Sequence, residues 1–396
     1  MGTIASLSLG KLEVAWSKNE FLLSHSDLYQ ADCLRSKPVD GDDGERPEEW
    51  YELSLELVKD RLELLGYTLE LAENEYSNPS PFSDDDPLPI SFHEVLTILR
   101  TVDIDKVSNE FSETPKPGIF APEHIQEIVR STRDLRFSFD HWDLSALLEN
   151  FSPYSQLRVL AENPANLELP VTWDFDGVVR NGWIERDRIT HGVNRKFLIV
   201  TEGSSDSKIL RKAIDLLRPH IKDFFYFVDM EDGYPFTGTG NLFNFVKGLS
   251  SIEIENDVLI VFDNDVEGTQ TMNRCLTLNR PKNMKVMKLP DLVQFQEFPT
   301  VGPHGEALAN INGSAASIEC YLDLGKAAKV RWTNYREDTK TYQGSLVAKD
   351  RYKKEFLKQS EKMANYDYRK LQNILDQIVL ECTQIAANKA LHRTSR

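Results

Sequence analysis

The sequence predicts an α/β protein with a mainly parallel sheet, preceded by a largely helical α+β domain and followed by a helical segment. From about residue 196, continuous apolar strands alternate with amphipathic helices, which is typical of a parallel sheet covered on both faces. Before that point, strand-like alternation occurs only near the start and helical periodicity follows. The charge also shifts, because residues 1–190 hold 17 basic and 37 acidic residues whereas residues 191–396 balance to +3.

The N-terminal domain is predicted over residues 1–192. Alternating apolar and polar residues around a glycine indicate a β-hairpin at its start. Ser91 with Glu94 three residues later forms a capping-box pattern at a helix start. The predicted elements are a hairpin at 4–18, an acidic Pro/Gly loop at 38–50, helices within 48–76, 91–103 and 121–135, and a loop at 78–89.

The second domain is predicted over residues 193–325. Its predicted strands lie at 196–203, 223–230, 257–265 and 283–291, and its predicted helices at 205–221, 239–251 and 268–278. Ligands of such sheets bind outside the carboxyl ends of the strands. We therefore expect any functional site of this domain at that edge.

The C-terminal segment is predicted over residues 326–396 as one or two helices. Residues 326–370 hold 13 basic and 6 acidic residues, interleaved with Trp and Tyr. Basic and aromatic side chains together suit phosphate contact and base stacking, although a solvated helix face has the same composition. We expect nucleic-acid contacts from Lys353 and Lys354, and from Lys208 in the second domain.

Composition limits the class of protein. The 396 residues, 40% hydrophobic and 28% charged, are enough for two or three globular domains. No apolar run reaches the ~18–20 residues of a membrane span, no signal peptide is visible, and nothing basic supports lipidation of the Met-Gly start. The four cysteines form no close pair, so a zinc site or disulfide framework is not indicated. We expect a cytoplasmic protein without a membrane partner.

Carboxylates follow two of the predicted strands. Glu202 ends "FLIVTE", and Asp263 and Asp265 end "VLIVFDND". Converging carboxylates without matching Lys or Arg repel one another and are readily stabilised by a divalent cation. Mg²⁺ prefers oxygen ligands and keeps several waters, and Mn²⁺ is the alternative. Gly203 would let the chain turn after the first strand, and Asp206 would cap the next helix.

These two segments resemble the Toprim domain. The likeness rests on Glu202-Gly203-x-x-Asp206 and on Asp263-x-Asp265-x-x-Gly268, in the expected order, over roughly residues 195–292. The resemblance implies that Glu202 is a metal ligand or general acid/base and that Asp263 and Asp265 hold Mg²⁺. In several Toprim nucleases a later Glu joins the metal, which would be Glu319 here, and the alternative is a solvated Glu at a helix start.

The whole chain resembles a narrower group, bacterial proteins with a HEPN/Toprim-type N-terminal domain before a Toprim module. The segment "MGTIASLSLGKLEVAWSKN" is similar to the opening of that domain. Such proteins are suspected of working in defence against phage. The resemblance implies nucleic acid as a partner, and an ATPase that gates the nuclease is a second expected partner. The oligomeric state is left open.

Four alternative interpretations are weighed. Asp174 and Asp176 in "TWDFDGVV" resemble a haloacid-dehalogenase nucleophile motif, but Pro170 makes the preceding segment a poor central strand. Arg136 and His141 have the spacing of a HEPN nuclease pair, but such a pair arises easily by chance, and we interpret both as structural or surface residues. Gly238 and Gly240, which follow the acidic residues Asp229, Glu231 and Asp232, could bring backbone amides near a phosphate, and are more simply a flexible connection. The acidic first half could also dock a protein without catalysis.

Hydrolysis of a phosphodiester needs the fewest additional parts. The chain has little room for a topoisomerase gate and no zinc module of the primase kind. The sequence therefore predicts a Mg²⁺-dependent nuclease acting on DNA or RNA.

Overall fold

The computed structural model describes residues 2–19, 24–41, 44–78, 90–107, 141–228, 239–252, 254–337 and 340–394. The chain forms two compact units, one of Met1–Asn194 with Ala386–Arg396 and one of Arg195–Ile385. Most of the segment predicted as a separate C-terminal part therefore lies in the second unit. Within the described ranges, no helix has both the length and the apolar composition needed to cross a membrane.

Among the described residues of the first unit, five strands form an antiparallel sheet in the order β2-β1-β5-β4-β3. The strands are β1 (Ile4–Leu9), β2 (Leu12–Lys18), β3 (Leu34–Gly41), β4 (Gly44–Ser54) and β5 (Pro170–Asp174). The predicted N-terminal hairpin is confirmed, since β1 pairs with β2 and Gly10 turns the chain at φ +54°.

The prediction of a loop at 38–50 is wrong. Residues 38–41 and 44–50 belong to the ribbon of β3 and β4, in which Pro38 lies opposite Pro47. β4 pairs with β5 only over its last five residues, so at the prolines the ribbon has no further neighbour among the described strands. Proline is tolerated there because the outer edge needs no backbone donor. Cross-strand pairing, including Lys37 with Glu48 at 2.7 Å, therefore overrides the turn-like composition.

The described helices of the first unit pack against this sheet and against one another. They are α1 (Leu55–Leu65), α2 (Leu69–Ser77), α3 (Phe92–Leu99), α4 (His141–Leu148), α5 (Pro153–Leu160) and α6 (Asp176–Arg180). The capping box of Ser91 and Glu94 is confirmed. The helix expected within 48–76 begins only at Leu55, because β4 extends through Ser54. The expected loop at 78–89 and helix at 121–135 fall almost wholly outside the described residues.

An aromatic group fills the core of the first unit. Trp173 on the central strand β5 stacks on Tyr29 and Tyr51, with ring centroids 6.3 and 5.8 Å apart. Arg61 is fully buried beside them and donates to the carbonyl oxygen of Asp27 at 2.8 and 3.0 Å. Because its guanidinium donates hydrogen bonds to backbone carbonyl oxygens, the buried Arg61 stabilises this core. The unit is α+β with more strand than the sequence predicted.

In the described part of the second unit, four strands form a parallel sheet in the order β10-β8-β6-β7. The strands are β6 (Phe197–Thr201), β7 (Phe225–Phe227), β8 (Val258–Phe262) and β10 (Met284–Lys288). They alternate with α7 (Ser204–Leu217), α8 (Thr239–Ser251) and α9 (Val266–Leu276). All five residues of β8 are buried. The predicted parallel sheet is confirmed.

Residues 326–396 differ from the prediction of a wholly helical segment, because two strands, β14 and β15, precede their helices. The other described strands of the second unit join them in a second sheet, β12-β11-β14-β15, or form a two-residue ladder of β9 with β13. These elements are β9 (Asn264–Asp265), β11 (Phe298–Gly302), β12 (Gly305–Ala309), β13 (Ala315–Ala316), β14 (Val330–Arg336) and β15 (Thr341–Leu346), with helices α10 (Lys349–Leu357) and α11 (Arg369–Thr394). Aromatic residues favour strands, and Tyr335 pairs with Tyr342 across β14 and β15.

Candidate metal centre

The first two predicted site residues follow neighbouring strands. β6 and β8 are parallel, with Thr201 paired to Val261, so Glu202 and Asp263 emerge side by side at the carboxyl edge. Glu202 Oε1 accepts a hydrogen bond from the backbone amide of Asp263 at 3.1 Å. The structure therefore brings these two residues together at the edge of the sheet where parallel α/β proteins bind ligands.

Backbone amides hold the two aspartates. Asp263 Oδ1 accepts from the amide of Ile318 at 3.0 Å. Asp265 caps α9, and its Oδ1 accepts from the amide of Gly268 at 2.7 Å. Because the Ile318 segment is remote in sequence, it fixes the Asp263 carboxylate from outside the strand that carries it.

Gly268 is required by a close approach. A Cβ added there would lie 2.3 Å from the carbonyl oxygen of Asp263 and 2.8 Å from Glu202 Oε1, closer than van der Waals contact permits. Gly203 differs, because its φ of −146° is extended and an added Cβ would meet only Asp206 Oδ2, at 3.8 Å. The expectation that Gly203 is needed for a sharp turn is wrong, since any residue adopts this conformation.

Asp206 and Glu319 join the cluster. Asp206, in the first turn of α7, accepts from the amide of Gly203 at 3.1 Å, which confirms a capping role. Glu319 lies in the 3-10 turn Ile318–Tyr321 and is only 4% exposed, so it is not a solvated residue. Its Oε2 accepts from Ser317 Oγ at 2.8 Å. The fields of Asp206 and Glu319 both act on Asp263.

Burial and mutual repulsion raise the pKa values of Glu202, Asp206, Asp263 and Asp265. Burial, followed by the charge of Asp265, raises the pKa of Glu202 to about 8. Burial and the charge of Glu319 raise the pKa of Asp206 to about 7. The pKa values of Asp263 and Asp265 are also raised, mainly by burial. Each shift has the direction expected when charged carboxylates lose water and face one another.

Positive charge does not neutralise the cluster directly. Within the described ranges, no Lys or Arg nitrogen lies within salt-bridge distance of the five carboxylates, which are Glu202, Asp206, Asp263, Asp265 and Glu319. Lys349 and Lys353 of α10 act on Asp206 from farther away. At the margin, Arg336 pairs with Glu267 in the first turn of α9. The cluster therefore keeps an excess of negative charge.

The donor chemistry fits a hard divalent cation, because carboxylate oxygens are the ligands that Mg²⁺ prefers. Four of the carboxylates each accept a hydrogen bond from a backbone amide through one of their two oxygens. They are Glu202, Asp206, Asp263 and Asp265. In the part of the chain that the structure describes, no three His, Cys, Asp or Glu groups already form a set that could hold one ion. The residues therefore supply the right atoms without a preformed cage.

The predicted nucleic-acid lysines are dispersed. Lys208 is exposed on α7. Lys353 is partly covered and pairs with Asp350 at 3.3 Å, while Lys354 is exposed on the same helix. The structure brings Lys353 within electrostatic reach of Asp206. No comparable link to the cluster is shown for Lys208 or Lys354 among the described residues.

Sequence reasoning missed the importance of Asn264, which lies between the two aspartates and is fully buried. Its Oδ1 accepts from Lys288 Nζ at 2.7 Å and from the amide of Gly313 at 2.8 Å. Its Nδ2 donates to Asp291 Oδ1 at 2.8 Å. Asn264 therefore anchors the Asp263–Asp265 segment from the side away from the cluster. The strand alternation was the one available signal, since it points Asn264 opposite to its neighbours.

The alternative motifs are not brought into a comparable site. β5 is central and antiparallel to both neighbours, with Pro170 tolerated as its first residue. Asp176 accepts from both terminal nitrogens of Arg46, at 3.2 Å each. An aspartate held in this way has a structural role, and the dehalogenase interpretation loses its support.

Other alternative residues are only partly described. Arg136, Asp229, Glu231, Asp232 and Gly238 lie outside the described residues, and only the backbone of His141 is described. Gly240 lies in helix α8 rather than in a loop.

The fold and cluster define the second unit as a parallel-sheet α/β unit with carboxylates at its carboxyl edge. Residues 1–196, which correspond to the first unit, match the family HEPN/Toprim N-terminal domain 1. This match supports the resemblance noted for the first half of the chain. No curated protein and no solved structure matches the chain.

Proposed function

We propose that the second unit is a Toprim-type nuclease domain that hydrolyses phosphodiester bonds of nucleic acid with Mg²⁺. The observation that carries this proposal is the convergence of partly buried carboxylates from two neighbouring strand ends, with no Lys or Arg in salt-bridge contact with them among the described residues. Such a group is costly to ionise unless a metal binds. The family matched by residues 1–196 is named for its place before HEPN or Toprim domains, which favours the same conclusion.

In this proposal Asp263 and Asp265 hold Mg²⁺, with Glu319 as a further ligand. The ion, when bound, would stabilise negative charge on the scissile phosphate. Glu202 would position or deprotonate the attacking water. The amides of Ile318 and Gly268 fix one oxygen of each of the two aspartates.

A second candidate function is an interaction with a protein partner such as an ATPase. The partner would either gate the nuclease activity of this chain or work with this chain as a non-catalytic subunit. It is favoured by the charge of the first half, in which residues 1–190 carry a net −20. A strongly acidic domain is poorly suited to nucleic acid and suited to a basic protein surface. We further propose a role in defence against phage, in the cytoplasm, in keeping with the family resemblance.

The test is a cleavage assay with the purified full chain. Plasmid, linear DNA and transfer RNA are each incubated with Mg²⁺, Mn²⁺ or EDTA. We expect cleavage with either metal, none with EDTA, and none with Asp263→Asn, which keeps the acceptor for Ile318. The control is Asp174→Asn in the first unit, which should cut normally. Metal-independent cleavage, or full activity of Asp263→Asn, would overturn the proposal, and activity only with a partner would favour gating.

A further inference from the structure

Three aromatic side chains form a continuous strip on the β14–β15 hairpin. Tyr335 lies opposite Tyr342 in the strand ladder, with ring centroids 5.0 Å apart. Trp332 also lies next to Tyr342, at 6.2 Å between ring centroids. We call these three residues the aromatic strip.

A β-bulge and a glycine build the strip. The register shifts between Trp332 and Asn334, which places Trp332 and Tyr335 on the same face although they are three positions apart. Gly344 lies opposite Trp332, and a Cβ there would be 2.9 Å from Trp332 Cε3. A larger residue at Gly344 would therefore displace the indole from the sheet. Local backbone features thus hold the strip in place.

The strip is exposed and lies in a basic region. Tyr335 is 52% and Tyr342 46% exposed. Lys340, in the turn of the same hairpin, is exposed, and within the described ranges it has no ion-pair partner. Residues 326–370 carry a net +7 in a chain of net −17. Exposed rings on a hairpin in this basic part of the sequence form a surface for a ligand with both aromatic faces and negative charge.

The hairpin is joined to the candidate metal centre. Arg336, next to Tyr335, pairs with Glu267 in the first turn of α9. The amide of Gly344 donates to the carbonyl oxygen of Ser314 at 3.4 Å, and Ser314 bridges to Asp265. A ligand bound to the aromatic strip would therefore lie on a hairpin that contacts residues next to the carboxylate cluster.

We propose that the aromatic strip binds single-stranded nucleic acid by stacking bases on Tyr335 and Tyr342, with a phosphate at Lys340 in the turn of the hairpin. Unpaired bases expose the ring faces that stacking requires, whereas a duplex buries them. The local excess of positive charge favours a polyanion over a protein of ordinary charge. The inference rests on the proposed function in one respect, that the strand bound here is the strand cut.

The experiment measures binding of labelled 20-mer oligo-dT and oligo-U by fluorescence anisotropy, to full-length protein in EDTA. We expect Tyr335→Ala and Tyr342→Ala each to weaken binding roughly 5- to 150-fold, the equivalent of one lost base stack. Tyr335→Phe and Tyr342→Phe should bind as wild type does, because they keep the ring. The matched control is Tyr226→Ala, at a residue of similar exposure (56%) on β7, which should leave affinity unchanged.

Three results would overturn the inference. The first is wild-type affinity in folded Tyr335→Ala/Tyr342→Ala, as checked by circular dichroism. The second is equal affinity for a 20-base-pair duplex. The third is unchanged oligonucleotide affinity with loss of self-association in light scattering, which would assign the strip to a protein interface. Binding is measured in EDTA, where no metal-dependent cleavage takes place. Normal oligonucleotide binding in EDTA, together with no cleavage in the Mg²⁺ assay, would therefore refute the proposed nuclease and leave this inference standing.

Discussion

Gly268 lies against Asp263 so closely that a single added carbon would come within 2.3 Å of the Asp263 carbonyl oxygen. The same carbon would be 2.8 Å from Glu202 Oε1. The helix that Asp265 caps is thus packed directly onto the pair of residues at the strand ends. A shift of α9 would therefore also displace the carboxylates of Glu202 and Asp263.

Gly268→Ala should therefore damage both stability and activity. The clash is with backbone, which cannot rotate away, so we expect a loss of ~1–3 kcal/mol in the free energy of unfolding and strongly reduced cleavage. Gly203→Ala is the matched control, because its extended backbone and open surroundings accept a methyl group. Thermal unfolding of both variants checks this, and equal melting temperatures would show that α9 shifts freely.

Asp263→Asn should abolish cleavage while stabilising the metal-free protein. The amide keeps an oxygen for the Ile318 amide and removes a charge that repels Glu202, Asp206 and Asp265. We expect a gain on the order of 1 kcal/mol in EDTA and a loss of at least about 100-fold in cleavage. Urea unfolding and the plasmid assay measure the two effects. A destabilised, active variant would contradict both expectations.

Some of this site could be predicted from the sequence because the information is local. An apolar run followed by Glu202 or Asp263 indicates a buried strand ending in a carboxylate. The role of Asn264 depends on partners far along the chain, Lys288 and Gly313, and the strand alternation indicates only that its side chain points away from those of Asp263 and Asp265. The basic and aromatic residues around Tyr335 are compatible with either a helix or a strand. Only the pairing of β14 with β15 shows that they form a strand.

Metal-free protein should lose stability as the pH rises from 6.5 to 8. The folded-state pKa values of Glu202, about 8, and Asp206, about 7, lie above their ordinary values. The folded state therefore retains protons that the unfolded state releases, and the free energy of unfolding falls with pH by an amount on the order of a few kcal/mol at most. Below pH 6.5, burial lowers the pKa of His25 to about 4, which gives the opposite slope.

Urea unfolding at pH 6.5, 7.2 and 8.0 in EDTA measures this slope, and Asp263→Asn should flatten it. Added Mg²⁺ should restore stability most at pH 8, because the ion binds ionised carboxylates. A flat profile in EDTA with no response to Mg²⁺ would mean that these acids titrate normally and that the cluster holds no cation.

Asn264→Ala should destabilise the second unit more than any exposed Asn substitution. It removes the acceptor of the Gly313 amide at a position where Asn264 itself is fully buried, while Lys288 Nζ keeps only Asp291 as a partner. An unsatisfied buried donor costs about 1–3 kcal/mol, so we expect a loss of ~1–3 kcal/mol. Asn273→Ala, on the exposed side of α9, is the control and should be neutral. Thermal and urea unfolding measure the difference. Cleavage by Asn264→Ala should also fall at temperatures where the variant is folded, because Asp263 and Asp265 lose the anchor between them. If the variant has the melting temperature of wild type, water replaces Asn264 as the acceptor for Lys288 and the Gly313 amide. Asn264 would then not position the aspartates.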